Sequence, residues 1–168
     1  MTDLYSHQDF IDSPLGTICI RASERGITDI IFSSEPAADL LSKNRFIKKC
    51  KSQLQEYFEG KRKVFDLEID YYGTQFQKLV WLELLKIRFG SSISYLALAS
   101  RLGNKNKIRA VAKANSQNRI SIIVPCHRII GANGELVGYS GGLWRKKWLL
   151  EHEENIEHNR KQLSFFET

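Results

Sequence analysis

The chain of 168 residues has no apolar run long enough to span a membrane. Its first twelve residues carry Asp3, Asp9 and Asp12 but no Lys or Arg, a pattern that does not fit a secretory leader. Cysteine is scarce: Cys19, Cys50 and Cys126 are odd in number, far apart and without CxxC spacing. That argues against a disulfide framework and against a zinc cluster, and it fits a reducing cytoplasm. The most informative absence is of acid. Between Glu83 and Glu135 lie 51 residues with no Asp or Glu, while Lys86, Arg88, Arg101, Lys105, Lys107, Arg109, Lys113, Arg119 and Arg128 all fall there. Residues 1–73 balance 10 Lys+Arg against 12 Asp+Glu, whereas residues 74–168 hold 15 against 7. Such asymmetry predicts a positive surface in the second part and a polyanionic partner for it.

Inside the acid-free stretch stands Ile122–Ile123–Val124–Pro125–Cys126–His127–Arg128–Ile129–Ile130. An apolar triplet and an apolar pair flank a polar centre without alternation, which predicts a buried strand on each side of a short active segment. Pro125 fixes its own φ, removes a donor and holds Val124 extended. A lone cysteine is most simply a small core residue. Here His127 and Arg128 supply a proton acceptor and a positive field, which a packing cysteine has no use for.

Ahead of this stretch, residues 13–32 read as a β-hairpin, with Thr17–Ile20 and Ile27–Phe32 as strands and Glu24–Arg25–Gly26 as the turn. Cys19 is read as a core residue there. Asp39 to Glu59 has helical spacing through Leu40, Leu41, Phe46, Ile47, Cys50, Leu54, Tyr57 and Phe58, and Gly60 ends it. Val64–Ile69 alternates and reads as a strand. Tyr71–Tyr72–Gly73 is the expected join, giving an N-terminal α+β domain over 1–73 and a second domain over 74–168. In the second, Thr74 is an N-cap candidate for a helix through Phe76, Leu79, Val80, Leu82, Leu84 and Leu85.

Ser94–Leu102 is a short helix closed by Gly103, and another runs from after Asn104 to about Asn115, the spacing of a helix-turn-helix. Projected at 100° per residue, Ile108, Val111, Ala112 and Asn115 face the core. Asn106, Ala110, Lys113 and Ala114 lie opposite, flanked by Arg109 and Lys107. Small side chains between cations make a ridge able to enter a nucleic-acid groove. Further on, Gly131–Ala132–Asn133–Gly134 is a hairpin turn leading to Glu135–Leu136–Val137. Gly138–Tyr139–Ser140–Gly141–Gly142 is a loop whose amides can approach a ligand. In the helix that follows, Leu143, Lys146, Leu149, Leu150 and Glu153 share one arc. A carboxylate among leucines needs a partner, and His127 is a sensible one, making a Cys–His–acid relay. His152 points elsewhere. The polar tail from Asn155 is expected to fray, with Leu163, Phe165 and Phe166 free to dock.

The run VPCHRIIGANGELVGYSGGLWRKKWLLEHE closely resembles the active-site region of the O6-alkylguanine-DNA alkyltransferases, also called methylated-DNA–protein-cysteine methyltransferases. The resemblance extends back through ISYLALASRLGNKNKIRAVAKANSQN and FQKLVW, so it covers about residues 74–153. It implies an α+β chain with a small N-terminal α/β, ribonuclease H-like domain. Its C-terminal domain would be helical and winged helix-turn-helix-like, binding DNA and holding the active site. Cys126 matches the methyl acceptor, and His127 and Glu153 the relay that makes it a thiolate through a water. Asn118 matches the asparagine that braces the site. Tyr95 matches the tyrosine on the flipped nucleotide, and Tyr139 and Ser140 the loop lining the base pocket. Arg109 matches the arginine finger of the recognition helix. Ala110, Lys113, Ala114 and Arg128 complete the expected DNA contacts. Arg88 stands where the family usually has Pro after Ile, a change at a helix end. Some relatives carry Trp in place of the nucleophile and only bind lesions; the Cys here implies activity. The family's occasional N-terminal zinc pattern is not matched by His7, Cys19 and Cys50, so no metal and no cofactor are expected.

What the resemblance implies is repair of O6-methylguanine, and of O4-methylthymine, in double-stranded DNA by direct transfer to Cys126. The lesion must be rotated out of the stack to be reached. The product thioether is not hydrolysed by water, so each chain would act once. The partner is alkylated duplex DNA, with the protein a monomer, cooperative binding on DNA left open. Two other classes stand beside this one. A DNA-binding regulator that senses alkylation leaves the charged groups beside Cys126 without a purpose. A cysteine hydrolase leaves the acid-free stretch and the bare helix face without one.

Overall fold

The computed structural model describes residues 5–37 and 41–166, with side chains as far as Asn159. The architecture is α+β, and the chain separates into two compact units. The first holds residues up to Thr74 together with Arg119–Ile123; the second holds Gln75–Asn118 and Val124 onward. No helix among the described residues is long and apolar enough to cross a membrane.

In the first unit, β1 (His7–Ser13), β2 (Gly16–Ala22) and β3 (Ile27–Phe32) form an antiparallel sheet in that order. The β2–β3 hairpin matches the expectation from sequence, while β1, HQDFIDS, carries too little apolar alternation to be read. Its Asp9 is buried and satisfied, accepting from the amides of Phe10 and Ser42 and from Lys51 Nζ. Helix α1 spans Arg45–Phe58 and buries Phe46, Ile47, Cys50, Leu54 and Tyr57. It starts later than the spacing predicts. Asn44 is the N-cap, its side chain accepting from Phe46 N and Ile47 N, and Leu41 lies outside the helix and exposed. Asp39 and Leu40 lie outside the described residues. Gly60, at φ 75°, closes the helix as expected.

The expected strand over 64–69 is absent; only Ile69 makes a parallel bridge, to Ile27. The cause is Gln53, whose side-chain amide donates to Asp66 O and accepts from Asp66 N, both at 2.9 Å. A side chain thus takes the bonds that a strand partner would have taken. A Cβ at Gly26 would stand 2.5 Å from the Glu68 carbonyl oxygen, so glycine is required where that segment passes the hairpin turn.

In the second unit, α2 (Gln75–Leu84) buries Val80, Trp81 and Leu84, and leaves Leu79 and Leu82 exposed. Trp81 Nε1 donates to Ala114 O, which fastens α2 to α4 (Ile108–Ser116). Helix α3 (Tyr95–Arg101) is capped by Ser94, whose Oγ accepts from Ala97 N. Gly103, at φ 84°, and a 3-10 turn over Lys105–Lys107 connect α3 to α4, giving the predicted helix-turn-helix.

Two short strands, β4 (Ile93–Ser94) and β5 (Ile129–Ile130), pair in parallel. So the apolar residues after Cys126 do form a strand, but those before it do not. Residues 121–124 run through turns, and Ile122 sits at φ 73°. The turn at Gly131–Gly134 forms, closed by Gly134 N to Gly131 O and Gly131 N to Glu135 O, but residues 135–137 make no strand. Helix α5 runs from Leu143 to Phe166 and does not fray at Asn155; the side chains of Leu163, Phe165 and Phe166 lie outside the described residues.

Candidate active site

Pro125 leads into a single 3-10 turn, Cys126–Arg128, that presents three consecutive buried side chains. Cys126 is 3% exposed. Asn118, just past the end of α4, donates from Nδ2 both to Cys126 Sγ at 3.2 Å and to Val124 O at 2.9 Å. One amide therefore fixes the turn and touches the sulfur. Burial pushes the Cys126 thiol up; the Asn118 hydrogen bond, the charge of Lys146 and the turn's own amides work against that rise.

His127 is fully buried, and its Nε2 lies 2.8 Å from Glu153 Oε1. A carboxylate can only accept, so Nε2 carries the proton and Nδ1 is left as the basic nitrogen. Nδ1 is buried, and among the described residues no protein group donates to it. Burial lowers the His127 pKa, against the pull of Glu153, so the ring is neutral and able to take a proton.

Glu153 holds the arrangement together. Arg128 donates to it twice, Nε to Oε2 at 2.8 Å and NH2 to Oε1 at 2.9 Å, and Gly90 N adds a third bond at 3.2 Å. Burial alone would raise the Glu153 carboxyl, but His127 and Arg128 outweigh it and hold it well below the usual range. The expected His127–Glu153 pair is therefore present. Arg128, expected among the DNA contacts, is not at the surface. It is 6% exposed, and its remaining nitrogen NH1 donates to Ile87 O at 2.6 Å. A guanidinium beside a buried carboxylate is bound there by the cost of leaving either charge unpaired.

A second cation near the thiol lies on the same helix face as Glu153. Lys146 is buried, and its Nζ donates to Val137 O at 2.9 Å and to Gly138 O at 3.3 Å. Burial pulls its pKa down to about 8, partly offset by Cys126. The Tyr95 hydroxyl donates to the same Val137 carbonyl at 3.2 Å. Lys146 and Tyr95 thus pin the start of the Gly138–Gly142 loop, on which Tyr139 is half-buried and Ser140 exposed. Lys146 was readable as a buried polar residue from the helix projection, yet no pattern assigned it to this site.

On α4 the exposed face carries Arg109, Ala110 and Lys113. Ala114 does not belong to it. It is 2% exposed, and Trp81 of α2 bonds its carbonyl. His152 stacks on the Trp148 ring at 4.6 Å.

A buried cysteine with an amide donor and a His–Glu pair, in one unit with a helix-turn-helix, defines a protein that couples thiol chemistry to a nucleic-acid-binding scaffold. Comparison with known proteins is specific. Residues 75–155 match the model of the 6-O-methylguanine DNA methyltransferase DNA binding domain, and residues 7–71 that of its ribonuclease-like domain. The chain is 40% identical over 154 residues to the methylated-DNA–protein-cysteine methyltransferase of Methanosarcina barkeri, covering 89% of this chain and 98% of that protein. It is 38% identical over 158 residues to the constitutive enzyme of that name from Bacillus subtilis, covering 89% and 96%. The crystal structure of the Mycobacterium tuberculosis O6-methylguanine methyltransferase in complex with DNA matches with a TM-score of 0.80 at 38% identity, covering 90% of this chain and 94% of that one. The chain belongs to the methylated-DNA–protein-cysteine methyltransferase family.

Proposed function

We propose that this protein repairs alkylated double-stranded DNA by transferring the alkyl group from O6-methylguanine, and from O4-methylthymine, to its own Cys126. The observation that carries the reading is the orientation of His127. With Nε2 committed to Glu153, Nδ1 is the ring's acceptor, one residue from a thiol held by Asn118. His127 takes the thiol proton, directly or across one water, and Glu153 stabilises the imidazolium. Sγ then attacks the methyl carbon in line, the C–O bond breaks, and its electron pair goes to the base. The guanine so released is completed by a proton. The product is a thioether, and no group in the site can hydrolyse it, so the protein acts once.

Residues 74–168 carry this chemistry and the DNA contacts, with residues 1–73 as a separate domain. Arg109, Ala110 and Lys113 meet the duplex, Tyr95, Tyr139 and Ser140 receive the rotated base, and Arg109 fills the stack behind it. The protein is a cytoplasmic monomer needing no cofactor.

Incubation with a duplex carrying one O6-methylguanine, followed by mass spectrometry, tests the reading. One methyl per chain on Cys126 is expected. Binding without transfer would favour an alkylation sensor, and repeated turnover of an ester a hydrolase. Arg109→Ala should slow repair in a paired duplex about tenfold, because unstacking costs a few kcal/mol there, and leave the rate on free O6-benzylguanine unchanged. Equal loss on both would remove Arg109 from the stack.

A further inference from the structure

Five residues separate Asn118 from Val124, and they do not group with their chain neighbours. Arg119–Ile123 belongs to the compact unit of the N-terminal sheet. Ile30 N on β3 donates to Arg119 O at 2.8 Å, and Ser121 N returns a bond to Ile30 O at 3.0 Å, a one-residue parallel bridge between Ile30 and Ile120. A bridge of one residue is a weak hold by itself. A side-chain pair reinforces it: Arg119 Nε lies 2.6 Å and NH2 2.5 Å from Asp29 Oδ1. Asp29 is 1% exposed, and its other oxygen accepts from Thr28 Oγ1 at 2.9 Å. The segment ends under strain, for Ile122 is the only non-glycine with positive φ among the described residues. A β-branched residue stays in that region only where its surroundings fix it.

What the segment connects gives the clamp its meaning. Immediately before it is Asn118, whose amide touches Cys126 Sγ and Val124 O; immediately after it come Val124, Pro125 and the nucleophile. A passive connector needs neither a buried aspartate nor a left-handed isoleucine. We propose that Asp29 and Arg119 are positioning residues for alkyl transfer, clamping Arg119–Ile123 to β3 so that the Asn118 amide is held at the sulfur. The proposal rests on the reading of Cys126 as the alkyl acceptor. It gives the N-terminal sheet a part in the reaction through the chain itself. Removing the clamp frees Asn118 to drift from Sγ, and a thiolate without that donor forms less readily.

The test uses the full-length protein and the free base O6-benzylguanine, so that DNA binding plays no part. Second-order rates of benzyl transfer are measured across pH, with melting curves, for wild type, Arg119→Ala, Arg119→Lys and the double variant Asp29→Asn/Arg119→Gln. The double variant leaves no unpaired buried charge. Arg119→Ala and the double variant should react about tenfold more slowly near neutral pH while still folded, with the rate profile moved to higher pH, and Arg119→Lys should recover most of the rate. Rates and profiles equal to wild type in the folded variants would overturn the proposal, as would a slower rate with an unmoved profile. If Arg119→Ala is unfolded, the double variant decides; if that too is unfolded at the assay temperature, the pair is structural and the proposal falls. A wild type that takes neither a benzyl group from the free base nor a methyl group from an O6-methylguanine duplex on Cys126 would instead overturn the alkyl-transfer reading itself.

Discussion

Cys50 and Cys126 are both buried, but their surroundings differ in kind. Cys50 sits on the apolar face of α1, where burial alone acts on it and drives its pKa far up. Cys126 meets the same penalty together with an amide hydrogen bond, a lysine charge, turn amides and a neighbouring neutral imidazole. Burial by itself makes a thiol inert. It becomes a usable nucleophile when the groups that took the place of water favour the thiolate. The largest expected effect follows directly. Cys126→Ala should abolish alkyl transfer while leaving DNA binding, and alkyl found by mass spectrometry on Cys50 or Cys19 would reverse the contrast.

The next largest effect lies in the relay. Glu153→Gln should slow transfer about a hundredfold, since it removes the charge that supports a protonated His127. It also leaves Arg128 without its carboxylate, which costs about 3 kcal/mol of stability, so rates belong well below the variant's melting temperature. The two shifts together predict acid lability. The native pKa values of His127 and Glu153 are both lowered, so each contributes stability that is present above its unfolded value and lost as pH falls. For His127 the loss begins below about pH 6.5, and for Glu153 below about 4.3. Denaturant midpoints measured from pH 7 to pH 3 should fall more steeply for wild type than for Glu153→Gln. Parallel slopes would mean that the pair does not titrate with folding.

How far the sequence revealed this site depended on whether one segment or several made the contact. Glu153 was legible because a carboxylate on a leucine arc must be paired, and His127, beside the cysteine, was a sensible partner. Lys146 lies on the same arc and was equally anomalous, but its partners are the carbonyls of Val137 and Gly138 in a loop without periodicity. Arg128 looked like a surface cation because nothing local says that Ile87 O and Glu153 surround it. Ala114 fell on the outer side of a helical projection yet is buried, its carbonyl bonded by Trp81, a residue 33 positions away. In the first unit, the alternation of VFDLEI was real, yet Gln53 took the backbone bonds of Asp66 and no strand formed. Periodicity reports which side of an element is apolar, while the partner that covers that side comes from elsewhere in the chain.

A smaller effect is expected from Lys146, which separates the two thiols by charge. Lys146→Met keeps the length of the side chain and removes its field. Transfer at pH 7 should slow about tenfold, and the rate should recover as pH rises and the thiol ionises unaided, a one-unit displacement of the profile. Because Nζ also grips Val137 O and Gly138 O, Lys146→Arg provides the control: it keeps the charge and changes the grip. A profile displaced equally in both variants would assign Lys146 to the loop.

The smallest effect is expected at Cys50. If burial without partners makes a thiol inert, nothing done to Cys50 should reach the chemistry. Cys50→Ala removes one buried sulfur atom from α1 and should cost about 1 kcal/mol through the space it leaves. Cys50→Ser keeps the volume but buries a hydroxyl among Phe46, Ile47, Leu54 and Tyr57, where desolvation without a good partner costs about 1–3 kcal/mol. The order of stability should therefore be wild type, then Ala, then Ser, in denaturant melts at pH 7. Benzyl transfer to Cys126 should proceed at the wild-type rate in both variants at a temperature where both are folded. A serine variant as stable as the alanine variant would show that the α1 face offers the hydroxyl an acceptor, and the inertness of Cys50 could no longer be attributed to burial alone. A transfer rate changed by the alanine variant would show instead that packing beneath the N-terminal sheet reaches the nucleophile.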